Sequence, residues 1–93
     1  MYRVVVTPAA MADVDHLEDW LLAKDARYAL DLSDALGAAV DRLLDYPQRA
    51  PLSRDGRYRE FYVAFHSNQY VIQYRVRGDR VVIARIRHSL ERR

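Results

Sequence analysis

Residues 59–93 read REFYVAFHSNQYVIQYRVRGDRVVIARIRHSLERR, and this stretch decides the fold. It contains three alternating runs, REFYVAF (59–65), QYVIQYRV (69–76) and RVVIARIRH (80–88). Alternation of apolar and polar residues predicts half-buried β-strands. Ser67-Asn68 and Gly78-Asp79 separate the runs and predict hairpin turns. We therefore expect three consecutive antiparallel strands at this end of the chain.

Each predicted strand has one apolar set of side chains that we expect to face a core. In the last strand we expect the even-numbered positions to pack inward, so that Arg85 and Arg87 lie on an open face. The three apolar sets are Phe61, Val63 and Phe65, then Tyr70, Ile72, Tyr74 and Val76, then Val82, Ala84 and Ile86.

The preceding half of the chain predicts one short strand and two helices. Residues 2–6, YRVVV, are strand formers, and Thr7-Pro8 then supplies an N-cap hydroxyl and a proline at the first helical position. This first helix should fade near Lys24-Asp25, and a second should span residues 26–46, where Pro47 ends it. We expect the core stripes to be Met11, Val14, Leu17 and Leu21 in the first helix, and Ala29, Leu32, Leu36, Ala39 or Val40, and Leu43 in the second.

The order of elements is therefore β-α-α-β-β-β, an α+β fold in a single domain of residues 1–93. The short connection between the helices predicts an antiparallel helical hairpin, which would cover one face of a small antiparallel sheet. An incompletely covered second face in so small a chain predicts a macromolecular partner.

Composition excludes several classes of function. The chain has no cysteine, which excludes disulfides and thiolate metal sites and is consistent with a cytoplasmic location. No apolar run approaches the roughly 20 residues of a membrane span, and we expect no signal peptide. His16, His66 and His88 fall on three separate elements, and three glycines leave no phosphate loop. We expect neither a metal nor a cofactor.

The charge is distributed asymmetrically along the chain. Residues 1–46 carry nine acids and four bases, whereas residues 47–93 carry four acids and eleven bases, all arginine. The two halves could simply attract each other on folding. Alternatively, the arginines and tyrosines of the sheet could bind and cleave RNA, or bind a protein partner. A third interpretation is that the tyrosines fill the core and the arginines solvate its rim.

Three motifs carry a resemblance to a known family: Arg59-Glu60-Phe61, the run YVIQYRV at 70–76 and the run VIARIRH at 82–88. Together with the order of elements, they resemble the ParE/RelE superfamily of bacterial toxins, the toxin halves of type II toxin–antitoxin modules. The resemblance spans nearly the whole chain and implies a cognate antitoxin as partner. That antitoxin would lay a helix on the helical hairpin or a strand on the sheet edge. We assign its contacts to Trp20, Arg59, Tyr70, Tyr74 and Arg75.

Two activities occur in that superfamily. RelE-like toxins cleave messenger RNA on the ribosome, and an RNase of that kind would use Arg59, Glu60, Arg85 and His88 here. ParE-like toxins poison DNA gyrase without an RNase site, and the closing Arg85-Ile-Arg-His88 is similar to the ParE ending. Val71 stands where some RelE-like enzymes have Arg, and no Tyr follows Tyr74.

We therefore expect a ParE-like gyrase inhibitor with a ribosome-dependent RNase as the alternative, and an inactive antitoxin-binding module as a further one. Whether the chain is an enzyme and whether it oligomerises stay open. The expected target surface comprises Arg85, Arg87, His88, Arg92 and Arg93.

Overall fold

The computed structural model describes residues 1–90. Arg3–Val6 forms β1 and Pro8–Ala23 forms α1. A 3-10 turn at Arg27–Asp31 leads into α2, Leu32–Asp45, and a second one follows at Pro47–Arg49. The three remaining strands are β2, Arg59–Phe65, β3, Asn68–Arg77, and β4, Arg80–His88. The predicted β-α-α-β-β-β order and α+β class are thus confirmed.

The sheet has the order β1-β4-β3-β2. The three C-terminal strands are antiparallel neighbours, as the hairpin turns predict. β1 instead pairs parallel to β4, with Arg3 opposite Arg80 and Val6 opposite Ile83, so the sheet is mixed rather than wholly antiparallel. The reason is topological, because α1 and α2 carry the chain from β1 to the far edge, and the two hairpins then return it alongside β1.

Local sequence determines where α1 begins. The Thr7 hydroxyl accepts a hydrogen bond from the Ala10 amide at 3.1 Å, and Pro8 occupies the first turn. The same hydroxyl lies 2.9 Å from the carbonyl oxygens of Ile83 and Ala84. The N-cap therefore also attaches α1 to β4.

The core lies between the helical hairpin and one face of the sheet. The stripe predicted for the second helix is buried, with Ala39 rather than Val40, but its Ala29 lies in the 3-10 turn because α2 begins at Leu32 and not at residue 26 as predicted. In α1, Leu17 and Leu21 are buried, but Met11 is 59% exposed, so its expected place in the core is wrong. The sheet contributes Val63, Phe65, Tyr70, Ile72, Tyr74, Val81, Ile83 and Ile86.

The predicted faces of β4 are wrong in its first half. Val81 and Ile83 are fully buried, whereas Val82 is half-buried on the other side. The register then shifts, because Tyr74 pairs with Ile83 while Gln73 pairs with Arg85. Ala84 is the extra residue of this β-bulge, and the bulge returns Ile86 to the core side. The core-facing side chains of β4 are therefore at odd-numbered positions before the bulge and at even-numbered positions after it.

Candidate functional site

The face of the sheet turned away from the helices carries most of the polar side chains of β3 and β4. We call it the open face. The register places on it Glu60 and Tyr62 from β2, Val71, Gln73, Arg75 and Arg77 from β3, and Arg80, Val82 and Arg87 from β4. Its two ends differ in how their arginines are held.

At the C-terminal end of β4, Arg87 forms part of a compact polar network. The Gln73 amide donates to Glu60 Oε2 at 2.9 Å, and Arg87 Nη2 lies 3.6 Å from the same oxygen. The Arg87 and Glu60 side chains are only 15% and 19% exposed. Within residues 1–90, the buried Nε of Arg87 has no hydrogen-bond acceptor. Arg87 is thus a partly desolvated cation balanced by one carboxylate.

Arg85 is in register with Gln73 of the open face, as predicted, but its guanidinium binds α1. Its Nε and Nη2 donate to the two carboxylate oxygens of Asp13 at 2.8 and 2.9 Å, a bidentate pair. The Ile86 amide also donates to Asp13 Oδ2 at 2.9 Å. β1 pairs with β4 only as far as Ile83, so the carboxylate satisfies an amide on the uncovered edge of β4. Asp13 and Arg85 therefore join α1 to the sheet.

His88 lies on the helix side of the sheet, beside α1. Its ring centroid is 6.0 Å from that of Trp20 and 5.4 Å from that of Tyr70. Nδ1 accepts a hydrogen bond from the Leu90 amide at 3.1 Å, and Nε2 lies 3.0 Å from Asn68 Oδ1. The neutral tautomer with hydrogen on Nε2 satisfies both contacts.

Arg59 supports the loop that follows α2. Its Nη1 donates to the carbonyl oxygens of Gln48 and Ala50, at 3.2 and 2.7 Å. The buried Tyr74 hydroxyl donates to the carbonyl of Pro47. Burial raises the pKa of Tyr74 above its ordinary 10.0.

The four residues of the RNase hypothesis do not converge on one site. Glu60 lies on the open face, whereas Arg59 and His88 belong to the helix side, paired with Tyr74 and Tyr70 respectively. Those tyrosines are four residues apart on β3, which is about 13 Å. Arg85 is bound to Asp13. Hence no pair of these residues forms an acid–base couple around a common space.

Two of the predicted antitoxin contacts need correction. Tyr70 and Tyr74 are fully buried in the core, so this conformation presents neither to a partner. Trp20 is 45% exposed, and Arg59 and Arg75 are half-buried, so their assignment stays a prediction. Arg92 and Arg93, predicted to contact the target, lie outside the described residues.

The opposite end of the open face holds a second arginine cluster. Sequence reasoning named its Arg75 as an antitoxin contact but missed that Arg3, Arg80 and Arg77 are neighbours. Arg3, Arg80 and Arg77 stand side by side on β1, β4 and β3. The Arg75 guanidinium lies over the Tyr58 ring, 4.5 Å from its centroid, and Arg57 is nearby in a cavity of about 670 Å³. We call Arg3, Arg57, Arg75, Arg77 and Arg80 the basic end. The sequence run RGDR at 77–80 could have indicated this cluster, because a tight turn at its centre places the two flanking arginines opposite each other.

An apolar groove of about 360 Å³ opens between the two helices and β1. Met11 is exposed on one wall, and Val4 and Val6 line the groove at 40% and 43% exposure. Gly37 of α2 lies in the groove, and a Cβ built there would have no atom within 4 Å. The groove therefore has room for side chains of another molecule.

The described part of the chain gives no support for a metal centre or a membrane span. No cluster of three potential ligands is found among residues 1–90. Neither α1 nor α2 has the length and apolar character needed to cross a bilayer.

The fold has a counterpart among solved structures. A solved structure titled "Chromosomal ParDE TA system from P. aeruginosa" superposes with a TM-score of 0.74, covering 95% of this chain and 96% of that one. Sequence identity is 23%, so the likeness concerns the fold, which is that of a chain of a toxin–antitoxin system.

The family follows from sequence. Residues 4–93 match the family described as "ParE toxin of type II toxin-antitoxin system, parDE", and the chain belongs to that family, within the ParE/RelE superfamily. Two relatives from Caulobacter vibrioides are similar over their full lengths. Toxin RelE3 is 44% identical over 95 residues, covering all of both chains. Toxin RelE1 is 38% identical over 92 residues, covering 99% of this chain and 98% of that one. The chain is thus the toxin of a type II module and implies a cognate antitoxin.

Proposed function

We propose that this toxin acts in the cytoplasm as a ParE-like inhibitor that arrests growth by binding DNA gyrase, without catalysing a reaction itself. One observation carries the proposal: the residues an RNase would need are separated on two faces of the sheet, and each is held by an internal contact. Arg59 binds loop carbonyls and Arg85 binds Asp13, while both ring nitrogens of His88 are engaged.

The target-binding surface in this proposal is the C-terminal end of β4 with the residues that follow it. Arg87 and His88 belong to it, together with Arg92 and Arg93. Arg85 contributes indirectly, because its pair with Asp13 positions the strand. Arginine is one of the residue types enriched among the anchors that dominate protein interfaces.

The test measures gyrase and messenger RNA with the same preparation. We expect the purified chain to block supercoiling of a relaxed plasmid and to accumulate cleaved DNA, while messenger RNA on translating ribosomes stays intact. Arg87→Gln should weaken gyrase inhibition at least tenfold, and Arg42→Gln, a charge-matched change on an exposed position of α2, should not. Unimpaired supercoiling would contradict the proposal.

An RNase is the second candidate, because the two curated relatives are named RelE toxins and Glu60 lies beside Arg87 on the open face. Glu60 would act as the base, and Arg87, 3.6 Å away, would hold phosphate. Codon-spaced messenger cleavage that Glu60→Gln abolishes would establish this alternative. A chain that affects neither gyrase nor messenger RNA, yet binds its antitoxin, would be the inactive binding module.

We further propose that the apolar groove receives the antitoxin. A helix with an apolar face fits between two helices, and the exposed Met11, Val4 and Val6 would be covered by it. The Cβ of Gly37→Phe would meet no atom within 4 Å and its ring would occupy the groove, so the substitution should reduce antitoxin affinity at least a hundredfold. Ala38→Phe, one position along at an exposed site outside the groove, is the matched control. Equal affinities for the two variants would exclude the groove.

A further inference from the structure

The basic end places like charges next to each other on neighbouring strands. Arg3 is in register with Arg80, and Arg80 with Arg77, so three guanidiniums share one row on the open face. All three residues are exposed. Like charges directly opposite each other on neighbouring strands destabilise a sheet. The packing of this chain offers no benefit that would explain the row.

Carboxylates do not compensate this row. Among residues 1–90 the only ion pair at the basic end is Arg57 with Asp55, at 3.8 Å and with both side chains largely exposed. Asp79, in the turn beside Arg80, makes no ion pair with any described residue. The C-terminal end of the same face, by contrast, has a carboxylate for each arginine.

Arg75 adds an oriented cation to the row. Its guanidinium lies over the Tyr58 ring, 4.5 Å from the centroid, and its buried Nε has no acceptor in the described structure. Arg75 and Arg77 are two positions apart on β3, about 7 Å, and the row across three strands is about 10 Å wide. The cations therefore form a flat array that matches an extended polyanion better than a single enclosed anion.

The array lacks what single-stranded nucleic acid requires. Bases of a single strand need exposed aromatic faces on which to stack. Tyr58 is the aromatic residue of this end, and Arg75 already covers one of its faces. Guanidinium forks match phosphate geometry, and a duplex turns its phosphates outward.

We propose that the basic end binds the phosphate backbone of double-stranded DNA, independently of base sequence. Arg3, Arg75, Arg77 and Arg80 make the phosphate contacts. This site is separate from the proposed gyrase-binding surface, which lies at the other end of β4.

Salt dependence and a matched pair of variants test the proposal. We expect the isolated full-length chain to bind a random-sequence 20-base-pair DNA duplex in the micromolar range or weaker. Four contacts predict that affinity falls about a hundredfold between 50 and 200 mM salt. Arg77→Gln with Arg80→Gln should reduce the salt slope by about half and the affinity at 50 mM at least tenfold.

The control removes two exposed arginines elsewhere, Arg27→Gln with Arg42→Gln, so the net charge is equal in both variants. Equal affinity of the two double variants would overturn the proposal, because binding would then follow net charge alone. Tighter binding of single-stranded DNA, duplex RNA or a poly-glutamate peptide than of duplex DNA would also overturn it. Thermal unfolding checks that both variants are folded, and removing like charges should leave the midpoint of the Arg77/Arg80 variant unchanged or higher.

A gyrase assay separates this proposal from the preceding one. The Arg77/Arg80 variant should still inhibit supercoiling if the target surface is at the C-terminal end. If that variant loses both DNA binding and inhibition of supercoiling, the chain inhibits supercoiling by coating DNA. That result would contradict gyrase as the target, but it would not contradict DNA binding by the basic end.

Discussion

The two ends of the open face both carry arginines, but the electrostatic environments of these arginines are opposite. At the C-terminal end of β4, Arg85 binds Asp13 and Arg87 faces Glu60. At the basic end, Arg3, Arg77 and Arg80 share a row with no carboxylate partner among residues 1–90. This difference shows that the number of arginines on a surface does not by itself identify a binding site. What matters is whether the fold brings a carboxylate to each guanidinium.

The largest expected effect on stability is at the C-terminal end of β4, where each arginine has a carboxylate partner. Asp13→Ala removes three hydrogen bonds and leaves Arg85 and the Ile86 amide without this acceptor. The free energy of unfolding should fall by about 2 to 3 kcal/mol, since the carboxylate is mostly buried while Arg85 remains partly hydrated. Urea denaturation measures this, and Asp15→Ala on the same helix is the control, with a change within about 0.5 kcal/mol. A small effect of Asp13→Ala would show that the pair is not structural.

Glu60→Gln should have an intermediate effect. The amide oxygen can still accept from Gln73, but Arg87 loses the negative charge near its guanidinium. We expect the free energy of unfolding of the variant to be about 1 kcal/mol lower than that of the wild type. This difference should shrink in about 1 M salt, because salt screens the ion pair that only the wild type has. Glu18→Gln, on α1 and without an ion pair in the described structure, serves as the reference substitution.

Removing an arginine from the basic end should stabilise the fold, whereas the two preceding substitutions destabilise it. Arg80→Gln removes the central charge of the row, and it should raise the free energy of unfolding by about 0.5 kcal/mol at low salt. The gain should vanish at high salt, because screening also relieves the repulsion in the wild type. Destabilisation at every salt concentration would indicate a counter-charge that the register does not reveal.

The smallest effect concerns Asp55, the carboxylate that contacts Arg57. Hydrogen bonds from the Ser53 hydroxyl and the Arg57 amide hold the pKa of Asp55 below its ordinary 3.8. A depressed pKa in the folded state stabilises the fold above pH 3.8, and that contribution is lost as the pH falls through the folded-state value. The difference in unfolding midpoint between wild type and Asp55→Asn should therefore shrink below that pH. Titration of the Asp55 carboxyl by NMR measures the pKa directly.

Sequence reasoning succeeded where the signal was local. Thr7-Pro8 predicted the start of α1, and Pro47 the end of α2. The turn at Gly78-Asp79 predicted the hairpin between β3 and β4. Gly78 has a φ of 59°, a left-handed conformation that glycine adopts without strain.

The failures were all at positions decided by distant residues. Met11 follows the helical period of the core stripe, yet it is exposed on the wall of the groove between the helices and β1. The faces of β4 were inverted before Ala84, because alternation along one strand gives no sign of a bulge set by its pairing with β3. Tyr70 and Tyr74 were assigned to a partner although they fill the core.

The sequence by itself determined the order and type of the elements and the α+β class, because caps, turns and alternation act between residues close along the chain. Three motifs of its C-terminal third also carried the resemblance to the toxin family. Only the tertiary structure decided which arginines are neutralised. Asp13 and Arg85 are 72 positions apart, and Arg3 and Arg80 meet only because β1 pairs parallel to β4. The first pair is set by the packing of α1 against the edge of β4, and the second by the pairing of β1 with β4. Together they divide the open face into one end held by internal pairs and one whose row of arginines has no carboxylate partner among residues 1–90.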